Sequence, residues 1–160
     1  MIRPMRPEEA PACVQLIRES FNTVAQEFGF TPENAPRFTA FAITAERLEA
    51  QRAAPRRVMF VCERQGEILG YASLLAGDGE GCELNNLCVS PAHRHKGIGG
   101  RLLEHAFSQA QRLGGSRIEI GIVEENQRLR RWYEAYGFIH IGTKKFDFFP
   151  FTCGYMEKRL

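Results

Sequence analysis

Residues 94–107, RHKGIGGRLLEHAF, set Arg94, His95 and Lys96 together with Gly97, Gly99 and Gly100 against an amphipathic run. From Gly97 to Leu113 the apolar positions Ile98, Leu102, Leu103, Ala106, Phe107 and Ala110 recur at helical spacing, and Gly114-Gly115 ends the run as a left-handed C-cap does. Upstream, CELNNLCVSP (82–91) reads as a strand closed by Pro91, and downstream RIEIGIV (117–123) reads as another. Strand, glycine-rich turn, helix and strand in succession predict a parallel crossover inside a mixed sheet. Free N–H groups at such a helix start, together with the positive end of the helix dipole, favour an anion, and glycines let a diphosphate approach the main chain. Taken by itself the loop reads equally as a tight turn. It is not a Walker A loop, because no GK[ST] follows, and the long spacing of a dinucleotide fingerprint is missing.

Working outward, IRPM at the N-terminus reads as a strand and residues 6–21 as a first helix. Residues 24–54 read as a loop with aromatic content followed by a second helix in ITAERLEAQRAA (43–54). RVMFVCER (57–64) and EILGYASLL (67–75), separated by Gln65-Gly66, form the signature of a hairpin, and GDGEG (77–81) makes the next turn. Simple alternation then puts Glu83, Asn85, Leu87 and Val89 on one face of a strand and Leu84, Asn86 and Cys88 on the other. Past residue 123, EENQRLRRWYEAY (124–136) reads as a short helix closed by Gly137, and residues 138–149 and 151–160 as two final strands around Pro150. The predicted order is strand, helix, helix, three strands, helix, strand, helix and two strands. No repeat, linker or low-complexity tract interrupts it, so one domain over 1–160 is expected.

Composition narrows the classes of function. A chain of 160 residues that is 44% hydrophobic fits a single core. A net charge of +2, from 21 basic and 19 acidic residues, is too balanced for the one-sided surface that nucleic-acid binding needs. Cys13, Cys62, Cys82, Cys88 and Cys153 are odd in number, scattered and free of CxxC spacing, which predicts reduced thiols in a cytoplasmic protein. No stretch approaches the ~20 apolar residues of a membrane span, so no membrane partner is expected. The four histidines have no carboxylate at metal-ligand spacing, and no metal is expected.

LCVSPAHRHKGIGGRLLEHA (87–106) resembles the acetyl-CoA-binding motif of the GCN5-related N-acetyltransferases (GNAT family), in which a strand ending in V and P leads through [RQ]xxGx[GA] into a long helix. Asn126, Leu129, Tyr133, Gly137 and Phe138 in NQRLRRWYEAYGF resemble the second motif of that family, in the same order. Leu129 stands where alanine is common and Trp132 where leucine or phenylalanine is usual. The resemblance spans nearly the whole chain. It implies a mixed α/β fold: a central, mostly antiparallel twisted sheet with one splayed parallel strand pair, flanked by about four helices. It also implies an acetyltransferase, with acetyl-CoA as acyl donor and a primary amine as acceptor. A module of the same fold that senses acyl-CoA without turnover is the alternative.

The family's residue roles carry over as expectations. Main-chain groups of Leu87, Cys88 and Val89 would hold the pantetheine arm, as a peptide adds to a strand edge. The loop Arg94, His95, Lys96, Gly97, Ile98, Gly99 and Gly100 would hold the pyrophosphate, and Asn126 and Tyr133 complete the cofactor set. Cys88 is expected to be a buried thiol without chemistry. Tyr133 corresponds to the tyrosine near the sulfur. A phenol near pKa ~10 protonates a thiolate whose thiol has pKa ~8.5 only uphill, by about 2 kcal/mol, so the expected role is hydrogen-bond donation to the departing sulfur. Packing on the cofactor is the other reading of that ring. Glu83, eleven residues before Arg94, stands where several members carry the glutamate that deprotonates the amine; it reads alternatively as a solvated strand-end acid after GDGEG. Arg128–Arg131 read as a solvated helix face. The acceptor itself is not specified, although Phe28, Phe30, Phe38, Phe41, Phe146, Phe148, Phe149 and Phe151 suggest an apolar surface for it. A homodimer is left open.

Overall fold

The computed structural model describes residues 1–160, with strands β1 (Ile2–Pro4), β2 (Arg57–Arg64), β3 (Glu67–Ala76), β4 (Gly81–Val89), β5 (Arg117–Val123), β6 (Ile139–Lys145) and β7 (Thr152–Arg159). Helices are α1 (Ala10–Phe28), the single turn α2 (Thr39–Ala42), α3 (Ala45–Ala53), α4 (Ile98–Arg112) and α5 (Gln127–Ala135). All strands join one sheet in the order β1-β2-β3-β4-β5-β7-β6. Every pairing is antiparallel except β4 with β5, the two strands that α4 connects. The mixed sheet with one parallel crossover is therefore as expected.

Two apolar layers cover the sheet. On one face α4 presents Ile98, Leu102, Leu103, Ala106 and Ala110, all buried, against Phe60, Leu74, Ile118 and Met156. Burying a leucine or isoleucine in this way contributes roughly 1.5–3 kcal/mol. On the other face Ile17 of α1 and Leu48 of α3 pack on Met59, Val61 and Tyr71. The hairpin turn falls at Gln65-Gly66, with both residues left-handed (φ 53° and 80°), the geometry that matches the twist of the paired strands.

Local readings differ from the structure at four places. Helix α1 runs on to Phe28 and stops at Gly29, whose φ of 75° makes the left-handed cap, so residues 24–28 are helical rather than loop. The extra turn α2 brings the helical segments to five. β7 inserts between β5 and β6, an order that strand patterns do not encode. Alternation also fails in β4, because Asn86 is left-handed at φ 56° and the register shifts there: Tyr71 stands opposite Cys88, yet Ser73 stands opposite Asn85. One extra residue makes a bulge and exchanges the faces beyond it. Leu84 accordingly packs on the α4 side while Cys88 packs on the α1 side, and Leu87 and Val89 turn toward α4.

Candidate active site

The sheet opens on the other edge of the same strand. β4 and β5 are paired only from Gly81–Arg117 through Glu83–Glu119, and the strands part beyond that point. The β5-facing backbone groups of β4 past Glu83 thus have no ladder partner from β5, a need that another extended chain of amides can meet. Two cavities open along this gap. One, about 440 Å³, lies between α1, the end of β4, the loop before α4, and α5. The second, about 490 Å³, lies over β4, β5 and β7 beneath the α1–α2 and β6–β7 connections. Phe21, Val24, Leu87, Asn126, Leu129 and Tyr133 line both, so they form the wall where the two meet.

In the first cavity the loop ends at Gly97, which caps α4 with φ 81° and offers no side-chain bond to the first turn. The N–H groups at the start of α4 therefore lack a protein cap and are free to bind an anion. His95 is left-handed as well, at φ 62°, and such curvature makes concave runs of N–H groups. Tyr136 from α5 packs so close to Gly100 that a Cβ there would overlap its hydroxyl. A Cβ on Gly99 would lie 3.4 Å from the Trp132 ring, which shows where the unusual tryptophan goes: it walls the loop. These features suit a pyrophosphate. His95, Gly97, Ile98, Gly99 and Gly100 all line this cavity along with Leu87, Cys88 and Val89.

Arg94 and Lys96 depart from a simple charge collar. The Arg94 guanidinium turns to α1, donating to Thr23 Oγ1 at 3.0 Å and to the carbonyl and hydroxyl oxygens of Ser20 at 3.1 and 3.0 Å. It is a strut that joins the loop to α1 while still lining the cavity, and burial pushes its pKa down. Lys96 is exposed and lines neither cavity.

At the shared wall, Asn126 caps α5, its Oδ1 accepting from Leu129 N at 3.3 Å. Tyr133 is 6% exposed and packs edge-on to Trp132 and Phe138 with centroids 5.0 and 5.3 Å away. Burial first, and nearby Cys88 second, push its phenol well above the ordinary range, so it stays protonated and keeps an O–H that is able to donate. The Cys88 thiol is pushed up to about 12 by burial, which removes the thiolate that nucleophilic chemistry requires.

Glu83 is exposed and lines the second cavity, its Oε1 accepting from Asn85 Nδ2 at 2.9 Å. Tyr133 and Glu83 thus both line this cavity, Tyr133 from the shared wall. Of the eight phenylalanines singled out from sequence, only Phe38, Phe149 and Phe151 line it; Phe30 packs behind them, 4.8 Å from Phe151. Sequence reasoning missed Arg37, Thr39 and Tyr155 in this lining. Tyr155 had a findable signal, since it lies two residues from Cys153 on a strand and shares its face.

Residues 15–138 match the family model of the acetyltransferase (GNAT) family. The chain belongs to the GNAT acetyltransferases. An uncharacterized N-acetyltransferase of Mycobacterium tuberculosis is 30% identical over 115 residues, covering 72% of this chain and 74% of the relative. Among solved structures, the PaiA N-acetyltransferase from Thermoplasma acidophilum in complex with coenzyme A aligns with a TM-score of 0.86 at 19% identity, covering 100% of this chain and 98% of that one. YncA from Salmonella typhimurium, solved with acetyl-CoA, aligns with a TM-score of 0.77 at 22% identity over 100% and 93% of the two chains. At such identities these likenesses establish the GNAT fold, and the splayed β4–β5 pair of this GNAT chain belongs to that fold. No helix of the chain is long and apolar enough to cross a membrane.

Proposed function

We propose that residues 1–160 act as one N-acetyltransferase unit that moves an acetyl group from acetyl-CoA to a primary amine by direct attack. The observation that carries this reading is the meeting of two cavities at a wall containing Tyr133. The glycine loop and the unpaired edge of β4 suit the pyrophosphate and pantetheine of the donor. The second cavity, with 15 hydrophobic residues among its 23, suits an amine carrying an apolar or aromatic body.

In this scheme the neutral amine nitrogen attacks the thioester carbonyl, the C–N bond forms, the C–S bond breaks, and the proton shed by the acylated nitrogen passes through water to the departing thiolate, giving free thiol. Tyr133 donates a hydrogen bond to the sulfur as it takes up the electron pair. An alkyl ammonium near pKa ~10.4 must first lose a proton, and Glu83 is the carboxylate that accepts it. Because Glu83 is exposed, water carries the proton across any remaining gap.

The test is thiol release from acetyl-CoA against a panel of amines that includes 2-phenylethylamine, alkyl diamines and short peptides. Turnover that depends on an amine is the expected result. Saturable acetyl-CoA binding with no amine-dependent thiol release across the panel would instead make the chain a sensing module.

A further inference from the structure

We infer that Arg57 and Asn85 are positioning residues that hold the Glu83 carboxylate in place at the rim of the acceptor cavity and couple it to a cation. This rests on the reading of Glu83 as the group that takes the proton of the amine. Arg57 opens β2, and Ser73 and Asn85 face each other across β3 and β4. The Arg57 Nη1 donates to Ser73 Oγ at 2.9 Å and to Asn85 Oδ1 at 3.2 Å, while Asn85 Nδ2 donates to Glu83 Oε1 at 2.9 Å. Chemistry fixes the orientation of the Asn85 amide. A guanidinium only donates and a carboxylate only accepts, so the amide oxygen must face Arg57 and the nitrogen Glu83. Cation, amide and anion then polarise one another in the same sense.

Two features separate this chain from ordinary surface pairing. The half-buried Arg57 forms no direct ion pair, and its Nε is buried without a partner, so the amide of Asn85 is the link between its charge and an acid. Glu83 also stands among other ionisable groups. Glu119 stands opposite it on β5, and the Tyr155 phenol on β7 is raised by burial first, then by Cys153 and by Glu83. Glu119 is partly neutralised by Arg117 at 3.4 Å, which also reaches Glu157 at 3.6 Å; Arg37 is the remaining charged group lining the cavity. Among these, only Arg57 is linked to Glu83 by a hydrogen-bonded chain.

The test needs no acceptor. The side-chain carboxyl ¹³C resonance of Glu83, assigned by its loss in Glu83→Gln, is followed through a pH titration in the whole chain. Arg57→Met and Asn85→Ala should each move the Glu83 midpoint to higher pH by about half a unit, a threefold gain in proton affinity. Arg57→Lys keeps the charge and should stay closer to the parent than Arg57→Met. Midpoints equal to the parent in both Arg57→Met and Asn85→Ala would overturn the proposal, and if Arg57→Met fails to fold, Asn85→Ala decides it. The catalytic reading fails separately: it falls if Glu83→Gln keeps the acidic limb of kcat/KM with acetyl-CoA and 2-phenylethylamine, whatever the titration shows.

Discussion

In the proposed reaction Tyr133 gathers much of the chemistry into one side chain. A phenol whose ionisation is suppressed by burial is a poor acid, yet it is a stable hydrogen-bond donor at every working pH. Tyr133→Phe keeps the ring edge-on between Trp132 and Phe138 and removes only the hydroxyl. A hydrogen bond to developing charge is worth about 1.5–3 kcal/mol, so kcat should fall roughly ten- to hundredfold. The apparent KM for acetyl-CoA should hardly change. The sign of the pH effect follows from the raised pKa: the protonated form persists above the ordinary phenol range, so Tyr133 should add no alkaline limb below about pH 10. Rate profiles of parent and mutant check both points, and equal turnover would reduce Tyr133 to a packing residue. The place of Tyr133 beside Asn126 was legible in the sequence because the motif from Asn126 to Gly137 is local. The turn of Arg94 toward Ser20 and Thr23 was not, because its partners lie more than seventy residues away in the chain.

At the scale of elements, the strand most important to function was also the one whose detail was least legible. The hairpin at Gln65-Gly66, α4 and β5 follow from period and punctuation, and the structure places them within a residue of expectation. In β4, alternation alone gave a regular strand because ELNNLCV contains no glycine to mark a break. The available signal was Asn86, since asparagine is depleted in strands and tolerates the left-handed region. Its φ of 56° makes a direct test possible. Asn86→Gly should leave stability within about 1 kcal/mol, whereas Asn86→Val forces a branched side chain into left-handed backbone at a cost of about 1–2 kcal/mol. If the bulge is what parts β4 from β5, the valine variant should also bind acetyl-CoA more weakly than the glycine variant. Thermal melts and calorimetry read the two effects separately, and equal melts for both variants would mean that the strand reaches its bend without this residue.

At the scale of the whole molecule, the walls of the site come from distant parts of the chain. α1 and its Arg94 strut, the splayed end of β4, the start of α4, and α5 enclose the first cavity; β7 and the α1–α2 connection enclose the second. The second cavity does not exist without the sheet order that places β7 beside β5, which no local pattern reveals. Because the two share a wall, donor binding and acetyl transfer can be separated by changing that wall alone. Leu129 lines both cavities from α5, is half-buried, and stands where a smaller alanine is common in the family. Leu129→Trp would fill the junction while leaving the glycine loop and the edge of β4 intact. The affinity for coenzyme A, which lacks the acetyl group, should then stay within about threefold of the parent, less than 1 kcal/mol. Turnover with any amine should fall by at least about tenfold, because misplacing the reacting atoms by an ångström is enough for such a loss. Calorimetric titration with coenzyme A and thiol-release kinetics measure the two quantities. A parallel loss in both would mean that the junction is part of the donor site rather than the place where the two substrates meet.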